Sequence, residues 1–384
     1  MKKVLYLIDT LEVGGAETSI LEIASRLENY IPIVVYIYVG STLRSRFEEA
    51  GIKVYSLDIE HKFGFFKAAG LLNNIIKKEN PDIIHATLFK AEMVSRIVGP
   101  NCGIPVINSF VNDSYSKERY NLLGFSHRLT LNLYKWVDKF TSFRVTKFMS
   151  ITNAIIENNA KAIGISKQDV EVIYRGRNID QLNSKIDYAG LESLASQFGA
   201  GPIILTVSRL LIRKGYLESI KAMKSVVLEF PSVKYLIAGE GHDRLIFENL
   251  IKSLELKDNV FLLGNRKDVP TLLKFSDIFL FPSHYEGQGG ALVEAMIFGK
   301  PIIASEIPVL EESVTNQRSA ILFKTKDVED LILKIKWAMH NREEMKNFGN
   351  EAKLVAENRF NIEKVAMMHD QMYDRVLSNY TKLK

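Results

Sequence analysis

The chain of 384 residues holds a single cysteine, Cys102. A disulfide framework and a cysteine-ligated zinc site are thereby excluded, and a reducing compartment is the simple reading. No run approaches the roughly 18 to 20 apolar residues that span a bilayer. The longest, 31–39, is the size of a strand. The start Met1-Lys2-Lys3 leads into a short apolar run that Asp9 stops, and no small-residue cleavage site follows. That is too little for a signal peptide, so 4–8 reads as the first strand of a chain that stays in the cytosol. Charge of one sign is scarce too. The balance is +5, from 50 Lys and Arg against 45 Asp and Glu. This is too weak to argue for a nucleic-acid partner, and none is expected. Apolar residues make up 47% of the chain, enough for sizeable cores. At roughly 150 residues per domain, the length suggests two domains.

What is present is a rhythm of short apolar runs and helical patterns. Strands are expected at 4–8, 33–39, 54–57, 83–85, 106–109, 148–151 and 170–174. After a polar stretch, 178–201, a second series runs 203–207, 233–238, 260–262, 278–281, 302–304 and 321–323. These runs are apolar throughout instead of alternating, as in parallel sheets covered on both faces. The reading is α/β: two doubly wound domains with a boundary near 178–200. From about 328 the chain reads helical to its end, broken near 358–361.

Ligands of open parallel sheets bind beyond the carboxyl ends of the strands, so chemistry is sought in the loops that follow them. After 278–281 comes Pro282-Ser283-His284-Tyr285-Glu286-Gly287-Gln288-Gly289-Gly290, then a helix. Glycines admit close backbone approach, and a helix N-terminus offers N–H groups to phosphate. Glu294, one turn into that helix, can reach back over the loop and accept from a ribose diol. Glu286 lies in the loop itself, free to face the cleft. A tight turn with two solvated glutamates is the plain alternative. After 203–207 comes Ser208-Arg209-Leu210-Leu211-Ile212-Arg213-Lys214-Gly215. Cations near a helix start oppose its dipole, and a diphosphate would give Arg209 and Lys214 a reason to be there. Surface solubility is the alternative. The turn Gly239-Glu240-Gly241 suits a ligand or merely a tight bend. Gly14-Gly15 follows the first strand, but neither glycine loop matches G-x-G-x-x-G, which argues against a dehydrogenase.

In this order the loops resemble the retaining glycosyltransferases of the GT-B fold, the large group called family four. The resemblance is carried by Gly14-Gly15-Ala16-Glu17, Ser208-Arg209 with Lys214-Gly215, Gly239-Glu240-Gly241, Leu263-Gly264-Asn265-Arg266, and Pro282-Ser283 with Glu286-Gly287, Glu294-Ala295 and Gly299-Lys300-Pro301. It spans nearly the whole chain and is stronger in the second half. It implies two Rossmann-like domains facing an interdomain cleft: 1–180 for the acceptor and 200–360 for the sugar nucleotide. A terminal helix in 361–384 would cross back to the first. Arg209 and Lys214 would hold and stabilise the departing diphosphate, Glu286 would contact the donor sugar, and Glu294 the ribose. Asn265 and Arg266 would lie near the base. Gly239, Gly241, Gly287, Gly289 and Gly290 would line the donor site, while Gly14 and Gly15 would close over the phosphates or line the acceptor side. Relatives usually need no metal, and no D-x-D triplet occurs here. No cofactor is expected beyond the nucleotide-sugar substrate, with UDP favoured over GDP. The implied reaction is retaining transfer of a hexose-type sugar to a glycan or lipid-linked glycan in surface polysaccharide biosynthesis. Front-face attack and double displacement at Glu286 are the two routes. A nucleotide-sugar epimerase and a non-catalytic carbohydrate-binding relative share the fold and are the competing readings.

Two departures bear on the acceptor side. Many relatives carry a histidine after the fourth strand, but the run 105–113 has none. His85 sits at another strand end and could face the cleft or be packed. The turn Tyr174-Arg175-Gly176-Arg177 replaces the commoner Pro-Asn-Gly. Arg175 and Arg177, with His85 and Asn112, are the acceptor-side candidates. Finally, 115–148 is rich in Lys, Arg and aromatics, from Lys117 and Tyr120 to Phe143 and Lys147. Such a helix can lie on an anionic membrane, here the inner face of the cell membrane, or simply cover the first sheet.

Overall fold

The computed structural model describes residues 1–60, 64–121 and 123–382. Position 122 of the basic aromatic segment and positions 383–384 of the terminal helix lie outside them. The chain divides into two compact units, Met1–Gly176 with Ile362–Lys384, and Arg177–Asn361.

The first unit is built on β1 (Lys2–Ile8), β2 (Tyr30–Tyr38), β3 (Lys53–Ile59), β4 (Ile83–Thr87), β5 (Val106–Phe110), β6 (Lys147–Ser150) and β7 (Val170–Val172). They form one parallel sheet in the order β3-β2-β1-β4-β5-β6-β7. β4 and β5 are buried along their whole length, as strands are when helices cover both faces of a sheet. The second unit holds β8 (Ile203–Val207), β9 (Lys234–Ala238), β10 (Val260–Gly264), β11 (Ile278–Phe281), β12 (Ile302–Glu306) and β13 (Ile321–Lys324). Their order is β10-β9-β8-β11-β12-β13, again parallel. Both sheets are doubly wound and Rossmann-like. Each reverses direction once, between β1 and β4 and between β8 and β11, and those switch points are where such sheets bind ligands.

The polar stretch expected at the boundary is not featureless. It carries helices Ile179–Ser184 and Tyr188–Phe198, both in the second unit. Leu194 and Phe198, four residues apart on one helical face, are buried, and Phe198 meets Phe261 edge-on at 5.1 Å. These two apolar anchors dock the helix.

The terminal helix Ile362–Lys382 packs on the first unit. Tyr373 Oη lies 2.8 Å from Tyr6 Oη and 2.7 Å from His85 Nδ1, all three residues being buried. Asp370 accepts from the Glu28 amide at 2.9 Å, and Glu363 pairs with Arg26 at 2.8 Å. Tyr373→Phe strips the partners from two buried polar groups. It is expected to cost about 1–2 kcal/mol, read as a thermal midpoint lower by a few degrees. An unchanged midpoint would remove the hydroxyl from the account of how the helix is fixed.

Helix Phe125–Thr141 is anchored from beneath. Arg96, 1% exposed, donates through Nη1 to Asp138 at 2.6 Å and through Nε to Asn108 at 2.7 Å, and the Tyr115 hydroxyl donates to Asp138 at 2.8 Å. Leu131 is buried on the same face. On the other face Phe125, Leu129, Leu133, Trp136 and Phe140 are 55% to 79% exposed. Among the described residues no helix is long and apolar enough to cross a membrane.

Candidate active site

The second unit's switch point brings two loops together. After β8 the chain forms a short 3-10 turn, Ile212–Lys214, and leaves through Gly215 at φ 75°. A Cβ on Gly215 would lie 1.9 Å from the Pro282 carbonyl oxygen, so only glycine lets loop 208–215 touch loop 282–290. The His284 amide seals the contact by donating to the Arg213 carbonyl at 2.9 Å.

This packing determines the state of two of the three catalytic candidates, Lys214 and Glu286. Surface solubility is one reading of Lys214, and Glu286 is expected free to face the cleft. The structure corrects both: Lys214 is 7% exposed, and its ammonium is hydrogen-bonded to Glu286. Burial pushes the lysine below its ordinary value, Glu286 pulls it back up, and the cations Arg213 and Arg209 beside it lower it again. Lys214 is thus hydrogen-bonded to one carboxylate in a poorly solvated place. Arg209 itself is exposed on the same loop. His284, which the sequence reading gave no role, lies 3.3 Å from Glu218 in the helix Tyr216–Glu229. Its only sequence signal was its place inside the glycine loop.

Gly289, at φ 84°, precedes the helix Gly290–Ile297. Glu294 on that helix accepts from Arg177 Nε at 2.8 Å. The same guanidinium crosses Gly290, with Nη2 2.1 Å from where a Cβ would stand. Arg177 therefore sits in the second unit beside Glu294 and Gly290, both donor-side candidates. The chain enters that unit at this residue, whose amide donates to the Phe360 carbonyl at 2.7 Å. Gly287 is half-buried in the same loop.

Gly239 and Gly241 are explained by packing. A Cβ on either would lie 2.0 Å from the Ser208 and 2.1 Å from the Leu210 carbonyl oxygen, respectively. Their spacing fits the turn against loop 208–215, so ligand approach is not needed to account for it. Arg266 is clamped by Asp268 through two bonds, 2.8 and 2.5 Å, and Asn265 is exposed beside it.

In the first unit, Gly15 opens the helix Gly15–Ala24 after β1, preceded by Gly14. Arg175 lies against it, Nη1 3.1 Å from a Cβ position on Gly15. Burial raises the carboxyl of Glu17 on that helix, and the Arg175 charge opposes the rise. Arg175 and Gly14-Gly15 are thus brought together. His85 lines the same small cavity as Ala16 and Arg175. It is 2% exposed, with Nδ1 on Tyr373 and Nε2 2.6 Å from Ser109 Oγ. Burial, and then the neighbouring His369, hold it far below the ordinary imidazole value. It is a buried histidine with both ring nitrogens hydrogen-bonded. Asn112 is exposed, its carbonyl accepting from Asn159 at 2.9 Å. Among the described residues no group of three His, Cys, Asp or Glu is placed to hold a metal ion.

Known protein families match both halves of the chain. Residues 13–181 match the family described as Glycosyltransferase Family 4, and residues 196–355 match Glycosyl transferases group 1. The chain is 27% identical over 270 residues, 68% of its length and 67% of the relative's, to a UDP-Gal:alpha-D-GlcNAc-diphosphoundecaprenol alpha-1,3-galactosyltransferase of Escherichia coli. It is 26% identical over 342 residues, 88% of its length and 89% of the relative's, to the capsular polysaccharide biosynthesis glycosyltransferase CapH of Staphylococcus aureus. The crystal structure of Anabaena HepE in complex with UDP superposes with a TM-score of 0.83 at 22% identity, covering 99% of this chain and 100% of that one, which shows the common fold. The chain belongs to the family-4, group-1 glycosyltransferases, GT-B enzymes that move a sugar from a nucleotide-sugar donor in glycan biosynthesis.

Proposed function

We propose that the chain transfers a hexose-type sugar from a UDP-sugar, with retention and without a metal ion, to a lipid-linked glycan of surface polysaccharide biosynthesis at the inner face of the cell membrane. The observation that carries this is the buried Lys214–Glu286 pair at the β8/β11 switch point, with Arg209 on the same loop. When the anomeric C–O bond breaks, the bonding pair goes to the diphosphate. Lys214, Arg209 and the amides opening the helix Gly290–Ile297 would favour that charge where it develops. The acceptor hydroxyl oxygen attacks from the same face, and its proton passes to the departing phosphate oxygen. Double displacement would require Glu286 as nucleophile, yet its carboxylate is engaged by an ammonium, which favours the front-face route. Relatives support the substrates: the E. coli protein is named for UDP-Gal and a diphosphoundecaprenol acceptor, and HepE holds UDP.

The exposed face of the helix Phe125–Thr141 supports a membrane-bound acceptor. The expected result is UDP release that rises at least tenfold on adding a polyprenyl-diphosphate-linked sugar. Release that is the same with and without any acceptor would favour the epimerase reading.

A further inference from the structure

The helix Phe125–Thr141 carries more than a basic composition. At 100° per residue, Phe125, Leu129, Leu133, Trp136, Val137 and Phe140 fall within about a third of its circumference. All six are exposed, and five of them by more than half. Beside this stripe run Arg128, Lys135 and Lys139, one above another. The helix's one acidic residue, Asp138, is buried beneath and bound to Arg96. The face presented to solvent is apolar with a cationic flank.

The stripe opens into a groove of about 480 Å³ between this helix and the helices Phe65–Glu79 and Phe89–Val98. Such a volume lies within the range of small-molecule sites, roughly 300–1,000 Å³. Phe65, Phe66, Phe89, Met93, Leu133 and Val137 line it, and Phe66 is 85% exposed at its edge. Phe89 stacks on Tyr134 at 4.5 Å and stiffens one wall. Arg96 and Arg144 also line the groove. Arg96 is 99% shielded, yet its Nη2 has no hydrogen-bond partner, and its nearest carboxylate oxygen, on Glu92, is 3.7 Å away. Phe65 and Phe89 begin the helices that follow β3 and β4, so this end of the groove lies on the side of the sheet where ligands bind.

The geometry points to a lipid-binding groove that takes one hydrocarbon chain of an anionic, phosphate-headed lipid, with Arg96 and Arg144 on its lining meeting the head group and the cationic row on the far edge of the stripe meeting the surrounding bilayer. This deepens the membrane reading above and rests on it only for where the lipid comes from. Charge decides the occupant. A second copy of the chain would bring two rows of Arg128, Lys135 and Lys139 towards one another, whereas an anionic head group complements them.

Two arms test it on the full chain. In the first, dihexanoyl-phosphatidylglycerol below its micellar concentration is titrated into the wild type, Val137→Trp and Leu133→Trp, the variants filling the groove while keeping it apolar. One-site binding by the wild type, weakened about tenfold or more in a variant that retains its thermal midpoint, is the expected result. No binding, or equal binding by the filled variants, overturns the groove. In the second arm, co-sedimentation with phosphatidylglycerol and phosphatidylcholine vesicles at low salt reads the surface. Equal recovery on both defeats the membrane reading while a positive first arm leaves the groove standing. A concentration-dependent dimer that Val137→Trp abolishes, with no lipid bound, would assign the groove to a second copy and overturn the proposal.

Discussion

Replacing Lys214 by alanine is expected to lower sugar transfer by about 10²–10³-fold, the loss seen when one donor to a developing oxyanion is removed. A lysine on an exposed loop would leave stability untouched. This one is not exposed: the side chains of Lys214 and Glu286 are 9% and 11% accessible and bonded to each other. Removing one partner strands a charge, which costs about 3–5 kcal/mol for a fully buried pair. The value here belongs at the lower end, because both groups retain some water. At roughly 2–4 °C per kcal/mol for a unit of this size, the thermal midpoint should fall by about 6–10 °C. The variant alone therefore confuses two losses, and the double replacement Lys214→Ala/Glu286→Ala separates them. Without a stranded carboxylate it should regain most of the midpoint and none of the turnover. Measured UDP release and melting curves on the same samples decide the matter. Recovery of turnover in the double variant would reduce Lys214 to a structural partner of Glu286, and full turnover in Lys214→Ala would remove it from the chemistry.

The need for that second variant marks what a sequence can and cannot convey. Both sheets were legible because strands covered on both faces are mostly apolar along their length, as Ile278–Phe281 is throughout. The loops were legible because a switch point follows from strand order, and glycine punctuates it at Gly215 and Gly289. Partnerships were not. Lys214 meets Glu286 across 72 positions and Arg177 meets Glu294 across 117, and no local spacing encodes either. His85 shows the same gap from the other direction. A histidine ending a strand can face a ligand or the core, and here Tyr373, 288 residues on, fills its nitrogen from the terminal helix. Gly239 and Gly241 resembled a ligand turn because close approach to a neighbouring loop and close approach to a ligand require the same residue. Composition announced the basic aromatic helix but not which side of it faces out, since Asp138 points inward only because Arg96 awaits it.

Glu294→Ala is expected to weaken UDP binding by roughly 10- to 150-fold, the 1.5–3 kcal/mol of hydrogen bonds to a charged group. The carboxylate is the acceptor proposed for the ribose hydroxyls, but Arg177 already holds it at 2.8 Å, with side chains 24% and 22% exposed. A ribose must therefore share Glu294 with a guanidinium instead of meeting a bare anion. That guanidinium also crosses Gly290, at the start of the helix where a phosphate would be received. The two residues should then fail differently. Uridine keeps the ribose and lacks the diphosphate, so Glu294→Ala should weaken uridine and UDP by similar factors. Arg177→Ala should weaken UDP several-fold more than uridine, because a cation beside the helix start is lost along with the brace on Glu294. Calorimetric titration of both ligands against both variants reads this directly. Should Glu294→Ala leave uridine untouched, the ribose contact is wrong. Equal losses of uridine and UDP in Arg177→Ala would confine that residue to bracing the carboxylate.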